Sequence, residues 1–352
     1  MERDKVRGLS RDPARGRITL RSWATIWEEH QVARPATLAR QRSCLRAHIL
    51  PDLGHAELVR LTSFEVQRWV TALTQRGLAP ATVRRVHQTL SRMMGDAVAD
   101  DRISANPCRS VRLPAVPVSE ARFLDPDELV RLEFAMRQAA PHWADLVPLA
   151  ADTALRIGEL AGLQVRDVDV RHGTVHVRRN AVEVEGRIFL GQPKTLAGTR
   201  TVPTLTEQVI ELVVRRVDRL GLKPEDWLFA GRDGGLLRAN AFRSRVWRPT
   251  LHLAGLADPQ PTPHSLRHSA VAAWIATGTV DPYHLARWAG HREVSTIYRL
   301  YGHLLPTDTT ASRAALGELR KAALHRLVTN QAGQEPGLAG ALPCADSGMT
   351  FA

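Results

Sequence analysis

At 352 residues with a formal net charge of +12, the chain is too long for one typical domain and is strongly basic. Its 44% apolar content is that of a folded protein, and no apolar run approaches the ~20 residues that cross a bilayer. Wholesale disorder and a helical membrane span are therefore excluded, and the charge favours a polyanionic partner, most simply nucleic acid.

The charged start, Met1-Glu2-Arg3-Asp4-Lys5, lacks the apolar core of a signal peptide, so a cytoplasmic protein is expected. Cys44, Cys108 and Cys344 are odd in number and far apart, offering neither a disulfide framework nor a metal-binding pair. Nearly all the positive charge is Arg; Lys occurs only at positions 5, 194, 223 and 321. A lysine kept in such a chain is a candidate for chemistry, because only Lys readily gives up a proton near neutrality.

Residues 1–18 read as a mobile basic tail. From Leu20 to Arg46, Trp23, Ile26, Trp27, Leu38 and Leu45 recur at helical spacing, and Pro51-Asp52-Leu53-Gly54 reads as a turn. Thr62 with Glu65 marks a capped helix start, and Val66, Trp69, Val70 and Leu73 form its inner face. Ala81 to Ala99 is another amphipathic helix, with Val83, Val86, Leu90, Met93, Met94 and Ala97 inward. Its other face carries Arg84, Arg85, His87, Gln88, Ser91 and Arg92, which suits either plain solvation or contact with phosphates. Residues 19–104 thus read as an all-helical domain, and Pro107, Pro114 and Pro117 mark a linker over 105–122.

Residues 123–327 form the second domain. Asp125-Pro126-Asp127-Glu128 opens a helix with acids in its first turn. Trp143 to Leu163 is mostly apolar, yet Arg156 sits inside it with Glu159 three residues on. That pair is either a structural ion pair or an Arg held at a helix-turn-helix corner and aimed at an anion. Gly173–Arg178, Gly186–Leu190 and Arg200–Pro203 alternate as strands, and Pro193–Gly198 reads as a hairpin turn with Lys194 at its tip. Helices follow at Thr206–Leu220 and at Asn240–Leu253, the second bearing Arg243, Arg245 and a kinking Pro249. A further helix covers Thr307–Leu327, and residues 328–352 are expected to be disordered. The fold class is mostly α with a small antiparallel β-sheet in the second domain.

Pro263 to His303 holds the densest chemistry. His264 and Arg267 are three apart, so a helix points them the same way. Gly290-His291 follows, then Tyr298 and Tyr301-Gly302-His303. An isolated His-x-x-Arg is more often a solvated surface pair. Guanidinium to neutralise phosphate, imidazole to move a proton and phenol as nucleophile are nonetheless the parts that attack a phosphodiester without a metal. His268 is a packing or supporting residue; no third metal ligand accompanies it and His264.

The order Arg156 (with Glu159), Lys194, His264-x-x-Arg267, His291 and Tyr301 resembles the tyrosine recombinase, or phage integrase, family over residues 20–327. The runs A-L-R-I-G-E-L, P-K-T, H-S-L-R-H and Y-G-H-L carry the resemblance. It implies a helical core-binding domain joined to a catalytic domain as a two-domain clamp around double-stranded DNA. It also implies Tyr301 as a nucleophile forming a 3′-phosphotyrosine, with Arg156 and Arg267 on the non-bridging oxygens. Lys194 would be the general acid, His264 would help remove the proton from Tyr301, and His291 would hydrogen-bond the phosphate. Tyr301 is preferred to Tyr298 because Tyr-Gly-His-Leu resembles the family's nucleophile segment. Arg84, Arg85, Arg92, Arg243 and Arg245 are the DNA-contact candidates.

The implied function is site-specific recombination for integration or excision of a mobile element, by a homotetramer on two paired sites. An accessory DNA-bending or directionality factor is a possible partner; no cofactor or metal is expected. Residues 1–18 are too short for the arm-binding domain that many integrases carry, so either the enzyme works without one or the gene starts further upstream. The alternatives are a Xer-type chromosome resolvase, a relaxing topoisomerase with the same chemistry, and a catalytically silent DNA-binding protein. The extension after Tyr301 and the missing Thr-Thr before it favour the mobile-element role.

Overall fold

The computed structural model describes residues 13–117, 122–193, 196–305 and 310–332. Its first helix, α1 (Leu20–Glu29), is capped by Thr19, whose hydroxyl accepts the Ser22 N–H. The periodic run expected to Arg46 is broken before α2 (Pro35–Cys44). Arg34 is extended at ψ 147° and Pro35 takes the first-turn position, where its missing N–H costs nothing. The chain then widens into a π turn, Leu45–Ile49, and continues as α3 (Leu50–Leu53). Pro51 is thus inside a helix rather than in the expected turn. It has no N–H for the carbonyl four residues back, so the Leu50 N–H reaches Leu45 instead.

Two longer helices, α4 (Ser63–Gln75) and α5 (Pro80–Ala99), complete this lobe. The Thr62–Glu65 capping box forms as expected, with N–H to side-chain distances of 2.8 and 3.2 Å. Leu20, Trp23, Leu45, Ile49, Val66, Leu73, Val86, Leu90 and Met94 meet in one core. Each core indole satisfies its N–H: Trp23 donates to Met93 O, Trp27 to Asp96 and Trp69 to His48 O. His87 departs from its expected place on the basic face. It is buried, because the backbone at Cys108 covers that edge of α5, and its Nε2 has no partner among the described residues.

The second lobe opens with α6 (Pro126–Ala139), capped reciprocally by Asp125 and Glu128. The apolar Trp143–Leu163 region divides into α7 (Leu146–Thr153) and α8 (Ile157–Ala161), with a corner between them. Five short strands follow: β1 (Val168–Asp169), β2 (Thr174–Val177), β3 (Asn180–Val184), β4 (Arg187–Gly191) and β5 (Arg200–Pro203). They form two sheets, in the orders β1-β2-β5 and β3-β4, all antiparallel. The expected hairpin between β4 and β5 is therefore replaced by a crossover from one sheet to the other. β4 is already taken by β3, a strand absent from the sequence reading. Glu185 and Gly186, at φ 48° and 76°, make the two-residue turn that joins them. Lys194 lies in the crossover but outside the described residues.

Helix α9 (Glu207–Leu220) is followed by α10 (Ala239–Phe242), a second π turn at Arg243–Trp247, and α11 (Arg248–Leu253). Pro249 causes this widening as Pro51 causes the first: the Arg248 N–H bonds to Arg243 O. Three helices carry the motif region: α12 (Pro263–Ala276), α13 (Pro282–Ala289) and α14 (Ser295–Tyr301). α12 is the hub. Its Trp274 donates to Asp152 O at the end of α7, and its Ser269 hydroxyl accepts the Leu124 N–H. Residues through Leu304 form one unit. The unit beyond it contains α15 (Thr310–Ala332), which continues past Leu327, where the expected helix ended. Residues 333–352 lie outside the description. Among the described residues no helix is long and apolar enough to cross a membrane.

Candidate active site

The site is built on a corner. α7 ends where Ala154 adopts a left-handed φ of 54°, unusual for a residue with a Cβ and costing roughly 1 kcal/mol. That turn aims the Ala154 carbonyl at Arg267, whose Nη1 donates to it at 2.9 Å. Arg156 then stands as the N-cap of α8. Glu159, three residues on, accepts the Arg156 N–H at 2.9 Å and Nη1 at 2.8 Å. The remaining reach of Arg156 goes to Gly290 O, 3.3 Å from Nη2. The sequence left two roles open for Arg156, a structural pair or an anion-directed corner; the geometry shows the pair with Glu159, formed at a corner between two helices.

Glu159 is buried, with its side chain 2% exposed, and is gripped from the other side by Arg200. The two Arg200 Nη atoms donate to separate Glu159 oxygens at 3.0 Å each, a fork-to-fork pair. Burial would raise the pKa of Glu159, but the hydrogen bonds and charge of Arg200, then Arg156, overcome it and hold it near 2. Arg200 also donates to Trp288 O and Gly198 O. It was not among the sequence candidates. The signal was there: strand alternation puts Arg200 on the same inward face as buried Val202.

Gly290 ends α13 at φ 65°, a conformation glycine adopts at little cost. A Cβ there would stand 2.9 Å from Arg200 Nη1 and would push that guanidinium from its place. This turn delivers His291, whose Nε2 lies 3.3 Å from Arg267 Nη2. Arg267 itself is 1% exposed. Burial, then Arg156 and Arg200, press its pKa down, but a guanidinium remains charged at neutral pH. The same cationic surroundings act on the histidines. Burial first, then Arg267 and Arg156, push His291 to about 3. Loss of hydration, then His268, Arg267 and Arg156, push His264 to about 4.

Tyr301 ends α14 with its ring 1% exposed. Its phenol lies 2.6 Å from Nδ1 of His268, not from His264. His264 instead meets His268 edge-on, with ring centroids 4.8 Å apart. Burial lifts the Tyr301 pKa to about 12, against the lowering pull of Arg267. Tyr298, its rival, is 56% exposed.

Arg156, Glu159, His264, Arg267, His268, His291 and Tyr301 are therefore brought together, and Arg200 joins them. Arg84, Arg85 and Arg92 line a groove of about 920 Å³ on the helical lobe with Arg40, although Arg84 spends its Nε on Pro114 O. Arg243 and Arg245 lie elsewhere, on the second π turn, where Arg245 lines a depression with Trp143 and Phe242. Among the described residues no group of three or more His, Cys, Asp or Glu converges as a metal site.

Residues 122–307 match the phage integrase family, and residues 19–113 match the phage integrase central domain. The ICEBs1 integrase of Bacillus subtilis (strain 168) is 24% identical over 297 residues, which span 82% of this chain and 79% of that protein. Tyrosine recombinase XerC of Xanthomonas campestris pv. campestris (strain B100) is 28% identical over 253 residues, 71% of this chain and 72% of its own. The fold is similar to that of the Tn1549 transposon integrase in complex with transposon right end DNA. The TM-score is 0.69 at 22% identity, over 86% of this chain and 100% of that one.

Proposed function

The chain belongs to the phage integrase family, and on that premise we propose that it cuts and rejoins DNA strands at specific sites through a 3′-phosphotyrosine on Tyr301. The observation that carries this reading is uncompensated charge beside a buried phenol. Arg156, Arg200 and Arg267 face the single carboxylate of Glu159, and the neighbouring histidines are neutral. Three positive charges less one negative leave two, a match for the two negative charges of the pentacoordinate transition state, one more than the ground-state phosphodiester carries.

Arg156 and Arg267 hold the non-bridging oxygens, and His291 hydrogen-bonds one of them. Both guanidiniums are fixed before substrate arrives, by Glu159 and by Ala154 O respectively, so little reorganisation is needed during reaction. Lys194, carried on the crossover ahead of β5, protonates the departing 5′ oxygen. A histidine of α12 takes the Tyr301 proton. The covalent linkage stores the energy of the broken bond, which permits rejoining to a new partner without a nucleotide cofactor.

Double-stranded DNA is the substrate. Arg84, Arg85 and Arg92 contact its backbone from the helical lobe, with Arg243 and Arg245 as further contacts on the second. Exchange between two duplexes needs a cut in each of their four strands, so the working species is a homotetramer on two paired sites. Without DNA the chain is a weakly associating monomer, and a stable DNA-free tetramer in light scattering would contradict this. Integration or excision of a mobile element is the role favoured by similarity to the ICEBs1 and Tn1549 proteins. The comparable likeness to XerC supports chromosome resolution as the second reading.

Covalent trapping tests the chemistry. The protein is incubated with supercoiled DNA from the neighbourhood of its own gene, denatured in detergent, and assayed for DNA-linked protein. The adduct should vanish in Tyr301→Phe and persist in Tyr298→Phe. Persistence in Tyr301→Phe refutes the assignment of the nucleophile, and the captured DNA gives the site.

A further inference from the structure

We infer that His268, rather than His264, takes the proton from Tyr301, an assignment that rests on the phosphotyrosine chemistry proposed above and specifies its base. The phenol must be deprotonated as it attacks. With a pKa raised to about 12, Tyr301 is ionised to only about one part in 10⁵ at neutral pH. A group within hydrogen-bond reach of the phenol has to accept that proton, and His268 Nδ1 is there at 2.6 Å.

Several features single out His268. His264 and His268 are four residues apart on α12 and share one face. His268 touches both neighbours, its ring centroid 4.8 Å from that of His264 and 5.8 Å from that of Tyr301. His264 opens to solvent, whereas Tyr301 and Arg267 are sealed below it. Arg267 carries only donors, which go to Ala154 O and His291, so it cannot accept the phenol hydrogen. Burial, reinforced by Arg267, keeps the His268 ring neutral and able to accept.

The step balances. The Tyr301 O–H bond breaks and its proton moves to His268 Nδ1. The oxygen lone pair forms the bond to phosphorus, and the P–O5′ bond breaks with its electron pair left on the 5′ oxygen. That oxygen takes a proton from Lys194. On rejoining, a 5′ hydroxyl attacks phosphorus and gives its proton to Lys194, the P–O bond to Tyr301 breaks, and His268 returns its proton to the departing phenolate.

The test separates a base from a hydrogen-bonding prop by changing the acidity of the nucleophile. Full-length protein is made with tyrosine or a trifluorinated, more acidic tyrosine at position 301. Adduct formation is timed in single turnover on a nicked duplex carrying the captured site. With ordinary tyrosine, His268→Ala should slow cleavage by roughly 10²–10⁴-fold while DNA binding is kept. The fluorinated nucleophile should recover at least ~10-fold of that loss, as expected when the missing function is proton removal, and should recover none of any loss in His264→Ala. His268→Gln, which keeps an acceptor but cannot hold the proton, should be as slow as His268→Ala. It replaces the alanine variant if that one no longer binds DNA. Near-normal cleavage by His268→Gln, or a loss that fluorination leaves unchanged, overturns the assignment. Rescue confined to His264→Ala gives the base to His264 and overturns it equally. A wild-type protein that forms no adduct, or an adduct that survives Tyr301→Phe, defeats the phosphotyrosine reading itself, an outcome distinct from the other three.

Discussion

Glu159→Gln is the substitution whose cost is best defined. The native carboxylate is buried and accepts four donors: Arg200 Nη1 and Nη2 at 3.0 Å, Arg156 Nη1 at 2.8 Å and the Arg156 N–H at 2.9 Å. A glutamine keeps the shape but loses the charge, and it turns an N–H₂ group towards a donor. Two routes give the magnitude. The pKa falls from an ordinary 4.5 to about 2, which at ~1.4 kcal/mol per unit is about 3 kcal/mol of stabilisation. Removing one partner of a buried ion pair costs about 3–5 kcal/mol. The two agree at roughly 3–4 kcal/mol, a large share of the 5–15 kcal/mol that holds a domain together. The folded pKa lies below the unfolded one, so this stability is fully present above pH ~4.5 and is lost as pH falls towards ~2. Urea unfolding of wild type and variant should show a gap that is level from pH 7 to about 4.5 and narrows below. A gap under ~1 kcal/mol at pH 7, or one that widens towards acid, would refute the ion-pair account.

Gly290→Ala should cost at least about 1–2 kcal/mol, since its φ is 65° and the new Cβ stands 2.9 Å from the Arg200 guanidinium. A urea midpoint equal to wild type would show that the close approach has no energetic weight. For DNA binding, Arg92→Ala should reduce the slope of log affinity against log salt by about 0.9, the loss of one phosphate contact. Fluorescence anisotropy on a random duplex measures it, and an unchanged slope removes Arg92 from the interface. The same measurement on Arg245→Ala decides whether the second π turn also touches DNA.

The parts of this fold that the sequence disclosed are those governed by local rules. The capping box at Thr62 and the helix start at Asp125 depend on residues within one turn, and they appear where expected. What escaped depends on contacts between distant segments. Whether β4 pairs with β3 or β5 is a choice of partner made between segments, which the alternation within either strand does not reveal. The π turns before Pro51 and Pro249 are responses of a helix already held on both sides, so a proline alone reads only as a turn or kink. His87 sits at the edge of the basic face of α5, and nothing nearby in the chain reveals that the Cys108 backbone would cover it. Arg200 and His268 were undervalued because their partners, Glu159 and Tyr301, are 41 and 33 residues away.

Those same distances bear on how a DNA-cutting protein is made safely. Arg156 is oriented by Gly290, 134 residues downstream, and Arg267 by Ala154, 113 residues upstream. A ribosome that has delivered the first of these arginines has not yet delivered the backbone that aims it. An incomplete or partly unfolded chain can still attract DNA through its charge, because that needs no geometry. On the proposed chemistry it cannot break a strand. Competence to damage the genome arrives only with the finished fold, and the long loops that must close to reach it slow assembly as a consequence.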